Sequence, residues 1–268
     1  MQVYRGMDIG TAKPSPAERR RVPHHLIDLA DPDEDYSVAR YRADAAVVLS
    51  ELAARARRVL MVGGTGLYLR AVIDELDLPG QWPQIRVQLE AEADDIGVEA
   101  LHARLASLDP LAASRAEPAN RRRVVRALEV CVGAGRPFSS FGPGLAAYPP
   151  TRFLLLGLNR SREELGERIA RRYREQVAGG FLDEVAALAR RPAGLSRTAR
   201  QALGYREILA HLEDGVALEE ALAGAVRRTR SFARRQQAWF GRDPRIRWMD
   251  PAANLASVAA AALGEWWG

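Results

Sequence analysis

Apolar residues along this chain switch between two spacings, and the switches mark its elements. Val38, Tyr41, Ala45, Val48 and Leu52 recur at helical intervals behind Ser37, a residue suited to capping a helix start. A helix is therefore predicted from Ser37 to about Arg57. Val59-Leu60-Met61-Val62 is instead an unbroken apolar run, as expected of a parallel strand buried on both faces. It ends in Gly63-Gly64-Thr65-Gly66, after which Leu67-Tyr68-Leu69-Arg70 opens another helix. Strand, glycine loop and helix in that order are the phosphate-site grammar of α/β proteins. Val22 to Leu29 reads as a short strand after a Pro-marked loop.

From about Pro83 the texture becomes helical: Ile85–Ala93, Val98–Leu105 and Arg121–Val132, with no strand between them. Gly133 to Pro150 is rich in Gly, Pro and Ser and reads as a loop. Phe153–Leu158 returns as a buried strand. Helices follow at about Arg162–Ala178, Phe181–Arg190, Gln201–Leu212 and Leu218–Phe240, then a short strand Ile246–Met249 and a closing helix Ala252–Leu263. The pattern is an α/β core (1–83 and 146–268) interrupted by a helical insertion (84–145), with no internal repeat. The parallel sheet lacks an obvious first strand. Met1–Lys13 has no leader, no capped helix start and two early glycines, and reads as a domain entered in its middle.

Composition narrows the class. The chain has 268 residues, enough for one large domain or one domain with an insertion. No apolar run is long enough to span a membrane, and no secretory signal pattern is present. A single cysteine, Cys131, excludes a disulfide framework or a cysteine metal cluster and suits a reducing cytoplasm. The net charge of +5 and pI near 9.8 favour a polyanionic partner. Lys13 is the sole lysine among 39 basic residues, a skew that genome base composition alone produces. The placement of the arginines must decide.

Three places carry candidate chemistry. In the glycine turn, backbone amides at a helix N-terminus attract anions, glycines allow close approach, and Thr65 adds a hydroxyl. The plain alternative is a tight strand–helix turn with no ligand. On the helix Leu218–Phe240, Arg227, Arg230 and Arg234 share a stripe opposite Leu222, Ala225, Phe232, Trp239 and Phe240, with Arg228 and Arg235 at the border. Five arginines with almost no acid suit a phosphate backbone, unless the face is merely solvated. Thr229 and Gln236 fall in the middle of the apolar side, so each is expected to hold a backbone or a ligand. Arg121-Arg122-Arg123 and Arg126 open another helix, where positive charge opposes the dipole and a phosphate would relieve it. Arg168, Arg171 and Arg172 form a further basic group.

The motifs QVYRGMDIGTAKP (Gln2–Pro14), VPHHLIDLADPDEDYSVARY (Val22–Tyr41), VGGTGLYLRAV (Val62–Val72), RRVVRALEV (Arg122–Val130), QALGYRE (Gln201–Glu207) and TRSFARRQQAWF (Thr229–Phe240) resemble, in order, the tRNA dimethylallyltransferase family. The match spans essentially the whole chain. The resemblance implies an α/β fold of P-loop-NTPase type, a parallel sheet flanked by helices, with a helical insertion that contacts tRNA. It implies transfer of a dimethylallyl group from dimethylallyl diphosphate to N6 of adenosine 37 in tRNAs reading codons that begin with U. Mg²⁺ is the implied cofactor and the tRNA anticodon stem-loop the implied partner, with a cytoplasmic monomer, no membrane and an ATP-type nucleotide fold.

By the same resemblance, Met1 and Gln2 meet the target adenine, Thr65 is a catalytic and tRNA contact, and Arg172 holds the substrate diphosphate. Arg86, Arg122, Arg123, Arg126, Gln201, Gly204, Tyr205, Arg206, Arg230, Arg234, Arg235, Gln236 and Trp239 are the remaining implied tRNA contacts. The family pattern also has a first strand, a Gly-x-Thr-x-Ser-Gly-Lys-Thr loop and an Asp-Ser-x-Gln motif. Here only the last two positions of that motif, Met1 and Gln2, stand in the sequence. The phosphate loop, its lysine, the metal-binding hydroxyl and the base aspartate are therefore expected to be missing. On that reading the chain has little transferase activity, and the alternative is a tRNA-binding module without catalysis.

Overall fold

Among the residues that the computed structural model describes (1–142, 144, 145, 147–249 and 264), helices dominate and two short strands pair. The expected helix Ala252–Leu263 lies outside the described residues. The chain divides into two compact units, Met1–Val72 with Thr151–Gly268, and Ile73–Pro150. In the first unit the elements are α1 (Pro16–Arg21), α2 (Val38–Ala54) and α3 (Gly66–Ile73), whose last residue passes into the second. The second holds α4 (Pro83–Ile96), α5 (Val98–Leu108), α6 (Pro110–Ser114) and α7 (Arg121–Ala134). The first unit resumes with β1 (Leu156–Leu158), α8 (Arg162–Ala178), α9 (Phe181–Ala189), α10 (Arg197–Arg200), α11 (Tyr205–Asp214), α12 (Leu218–Phe240) and β2 (Arg247–Met249).

The strands β1 and β2 are parallel, with Gly157 opposite Trp248. A Cβ on Gly157 would stand 2.7 Å from the Trp248 ring, so glycine is what lets the indole lie on the strand. The core of this unit gathers Tyr4, Met7, Tyr173, Phe181, Val185, Tyr205 and Ile208 from the N-terminal loop, α8, α9 and α11. Phe181 and Tyr205 meet edge to face at 5.1 Å between ring centres, a favoured aromatic arrangement.

Several elements follow their local signals. Ser37 caps α2 by accepting from the Arg40 amide, and Ser161 caps α8 through the Glu164 amide. Helix α1 stands where a loop is expected. Its signal is a capping box in which Ser15 and Glu18 satisfy each other's backbone amides. The expected helix from Gln201 begins instead at Tyr205, because Gly204 adopts φ +85° and separates it from α10.

Two expected strands do not form. In Val22 to Leu29, Leu26 and Asp28 take positive φ (62° and 56°), which interrupts an extended run. What remains is a single parallel bridge between Tyr4 and Ala30 and the Leu29 amide bonded to the Val3 carbonyl at 2.7 Å. Val59–Val62 is irregular, with Leu60 and Val62 each 82% exposed. An apolar run becomes a strand only where neighbours offer ladder partners, and none pairs with it among the described residues.

The second unit is a helical cluster around Leu89, Leu101, Leu105, Val124, Val125 and Leu128, with Cys131 a buried free thiol. Asp109 is buried and caps α6 through the Ala112 amide at 2.9 Å while accepting from the Ser139 amide at 2.7 Å. The Trp82 ring lies against Gly133, where a Cβ would sit 2.2 Å from it.

Candidate functional site

Helix α12 is a two-faced element. Glu219 and Glu220 in its first turn favour the helix dipole, and Ala221, Ala225 and Thr229 form its buried seam. Thr229 satisfies its hydroxyl with the Tyr173 hydroxyl at 2.8 Å. Arg228 donates to the Glu207 carboxylate at 2.5 Å, and the other Glu207 oxygen accepts from the Gly204 amide at 3.0 Å. Glu207 therefore neutralises one of the five arginines expected to lack an acid. Arg227, Arg230, Arg234 and Arg235 stay exposed. Arg230 donates to the Gly166 carbonyl at 3.2 Å, and Arg235 to the Ser231 hydroxyl at 3.1 Å. Arg162, Arg230 and Arg234 line a shallow groove between α8 and α12, over Leu165, Gly166, Ile169 and Ala233.

At its far end α12 reaches the glycine turn. The Gln236 side-chain amide donates to the Gly64 carbonyl at 2.7 Å. A Cβ on Gly64 would lie 2.2 Å from that nitrogen, and one on Gly66 would lie 2.0 Å from the Trp239 indole nitrogen. Thr65 is exposed, and its carbonyl accepts from the Tyr68 and Leu69 amides as α3 begins. On α8, Arg168 and Arg172 are exposed, and Arg171 lies 3.7 Å from Glu175.

The N-terminal loop is held by a dense polar network. Gln2 spends its amide nitrogen on the Thr11 and Ala12 carbonyls at 3.1 and 3.0 Å. The Lys13 side chain is 1% exposed, and its ammonium meets the Tyr4 carbonyl (2.7 Å), Asp8 (2.5 Å) and Asp28 (2.6 Å). Three donors for three acceptors make it a structural clamp. The Glu184 carboxylate accepts from the amides of Asp8, Ile9 and Gly10 and from the Tyr205 hydroxyl at 2.6 Å. Burial and that carboxylate push the Tyr205 phenol well above the ordinary tyrosine range. Tyr205 is fully buried and Gly204 is buried beside it, so these two implied tRNA contacts lie in the core, not on a surface. Gln201 and Arg206 are exposed and joined at 3.3 Å. Met1 is exposed.

In the second unit the arginines divide. Arg121 donates to Glu90 at 2.8 Å, to the Glu90 carbonyl at 2.7 Å and to Asp94, so this first arginine of α7 is neutralised by α4 without a phosphate. Arg126 lies 2.9 Å from Glu129 and donates to the Pro79 and Gly80 carbonyls. Arg86 is 3.5 Å from the same Glu129, whose side chain is 1% exposed and accepts from the Trp82 amide at 2.8 Å. Arg86 and Arg126 thus serve a buried acid as well as whatever they meet outside. Arg122 and Arg123 are exposed.

Among the described residues no three His, Cys, Asp or Glu side chains come together as a metal-ligand set. No described side-chain cluster would by itself hold the Mg²⁺ that the resemblance implies. No described helix is long and apolar enough to cross a membrane.

Residues 2–243 match the family described as IPP transferase. The tRNA dimethylallyltransferase of Thermobifida fusca is 49% identical, over 99% of this chain and 83% of its own length. That of Acidothermus cellulolyticus is 48% identical, over 100% and 84%. A solved tRNA isopentenylpyrophosphate transferase from Bacillus halodurans aligns at TM-score 0.64 and 39% identity, covering 93% of this chain and 78% of that one. A eukaryotic dimethylallyltransferase that acts on tRNA shares the fold at TM-score 0.74 and 24% identity, over 96% of this chain and 66% of its own. With a matching family profile across nearly all of its length and relatives at close to half identity, the chain belongs to the IPP transferase family.

Proposed function

We propose that the protein transfers a dimethylallyl group from dimethylallyl diphosphate to N6 of an adenosine in a tRNA anticodon loop. The observation that carries this reading is helix α12. It presents exposed arginines on one side and on the other braces the Gly63–Gly66 turn that displays Thr65. Arginines on a helix face suit an RNA backbone, and a loop base must leave its stack to be alkylated. In the reaction the allylic C–O bond breaks with its electron pair going to the diphosphate. The adenine N6 lone pair forms the new C–N bond and then gives up a proton to a base. The exposed guanidinium of Arg172 is assigned to the departing diphosphate, whose growing negative charge it would offset. Thr65 is assigned to the adenosine. Arg230, Arg234 and Arg235 are assigned to RNA phosphates, with Arg122 and Arg123 doing the same from the second unit.

The fold detail belongs to the same proposal. The parallel pair β1–β2 is read as part of a P-loop-type sheet and Ile73–Pro150 as the RNA-contacting insertion, in a cytoplasmic monomer. The test is direct. The protein is incubated with an anticodon stem-loop RNA and radiolabelled dimethylallyl diphosphate, and label in N6-modified adenosine is measured. Label in the RNA supports the reading. RNA binding without label would instead leave a tRNA-binding module.

A further inference from the structure

The glycines of the Gly63–Gly66 turn invite a reading as space left for a ligand. Their neighbours give another reason. None of Gly63, Gly64 or Gly66 has a positive φ, so conformational freedom does not explain them. Space does. The Gln236 amide and the Trp239 indole occupy the volume that a Cβ on Gly64 and on Gly66 would need, at 2.2 and 2.0 Å. The two side chains stand three apart on α12, hence on one face, and they meet two glycines two apart in the turn.

The support is one-sided. Residues 59–62 reach the turn as irregular chain with Leu60 and Val62 exposed, so no ladder fixes it from that direction among the described residues. The hydrogen bond from Gln236 to the Gly64 carbonyl and the indole against Gly66 hold it from the other. Helix α12 can bear this because the Thr229–Tyr173 and Arg228–Glu207 bonds fix its middle.

We infer that Gln236 and Trp239 are positioning residues: they hold the turn so that Thr65 is presented at the start of α3. The residues that bind phosphate from α12 are then its outward arginines alone. One rigid helix carries both tasks, so a docked RNA and the Thr65 turn keep a fixed register. The part of this inference that concerns turnover rests on the proposed function, and the part that concerns the turn does not.

The test uses Gln236→Met, which keeps length and packing but removes the donor, together with Gln236→Ala and Trp239→Leu. Amide hydrogen exchange across residues 58–69 is compared with that across α7. The expected result is about fivefold or greater faster exchange in the turn, the scale of one lost hydrogen bond, with α7 unchanged. Stem-loop RNA affinity should stay within about twofold while kcat for transfer falls about tenfold. Gly66→Ala should show the same defect, and Trp239→Leu should partly rescue it by vacating the clash. Wild-type exchange in the turn of Gln236→Met, or an RNA affinity weakened tenfold with the turn unchanged, overturns the inference and makes these residues RNA contacts. If the wild-type protein transfers nothing, the proposed function fails, but the exchange result still decides the positioning role.

Discussion

Helix α12 and the start of α7 look alike as letters, each a run of arginines on an amphipathic helix, and the fold treats them differently. On α12 a single arginine, Arg228, is paired with an acid, Glu207, while Arg227, Arg230, Arg234 and Arg235 face solvent. On α7, Glu90 and Asp94 neutralise Arg121, and the buried Glu129 holds Arg126. A basic run therefore has two possible origins. It can serve an anion from outside, or it can serve acids of the chain itself, whether from another helix, as Glu90 and Asp94 do, or from the same one, as Glu129 does. The proposed function assigns RNA phosphates to exposed arginines of each helix, Arg230, Arg234 and Arg235 on α12 and Arg122 and Arg123 on α7.

The largest effect that sharpens this contrast is expected at Glu129. Removing an acid that is 1% exposed leaves Arg126 without its charge partner and the Trp82 amide without an acceptor. Glu129→Ala should cost roughly 3 kcal/mol in urea unfolding, and a loss below about 1 kcal/mol would mean the site is wetter than its geometry indicates. Next in size are the arginines themselves. Arg230→Ala and Arg234→Ala should each weaken stem-loop RNA binding several-fold and reduce the slope of log affinity against log salt by about one. Arg121→Ala should leave that slope unchanged and lower stability instead. Equal slopes for all three variants would erase the distinction between the helices.

Local signals carried much of this fold. The bounds of α8 and α12 coincide with their hydrophobic periodicity, and Ser37 starts α2 as its type suggests. The strand Phe153–Leu158 is present but shorter, as β1, and it is not buried as expected: Leu156 and Leu158 are exposed. Thr229 and Gln236 announced themselves as polar residues on an apolar face. Their partners, Tyr173 and Gly64, lie 56 and 172 residues away, a pairing that no local pattern encodes. The same distance hid the role of Glu129, whose Trp82 partner is 47 residues off, and the capture of the N-terminal loop by Glu184. Val59–Val62 misled for a related reason: an apolar run states what a strand needs, not whether neighbours supply it. Helix α1 was missed, although its signal is local: Ser15 and Glu18 spell a capping box within four residues.

A smaller effect separates the polar anchors of the two units. In the first, Tyr173→Phe removes one buried hydroxyl and leaves Thr229 short of a partner, for a loss of about 1 kcal/mol. In the second, Asp109 adds a dependence on pH. Burial works to raise its pKa, but hydrogen bonds from the Ala112 and Ser139 amides and the Ser139 hydroxyl outweigh burial and hold it below the usual carboxylate range. The folded state therefore binds the proton less readily than the unfolded chain. Its contribution is fully present above about pH 5 and disappears as pH falls through the ordinary aspartate range near 4 toward the lower folded value. Asn at this position still caps α6 but carries no charge to lose. Urea unfolding between pH 3 and 7 should show wild-type stability falling with acid more steeply than that of Asp109→Asn, by about 1 kcal/mol. Parallel curves would show that the Asp109 charge contributes nothing to the fold of this unit. In that case Glu129, with Arg126 and Arg86 against it, would be the charged anchor of the helical cluster.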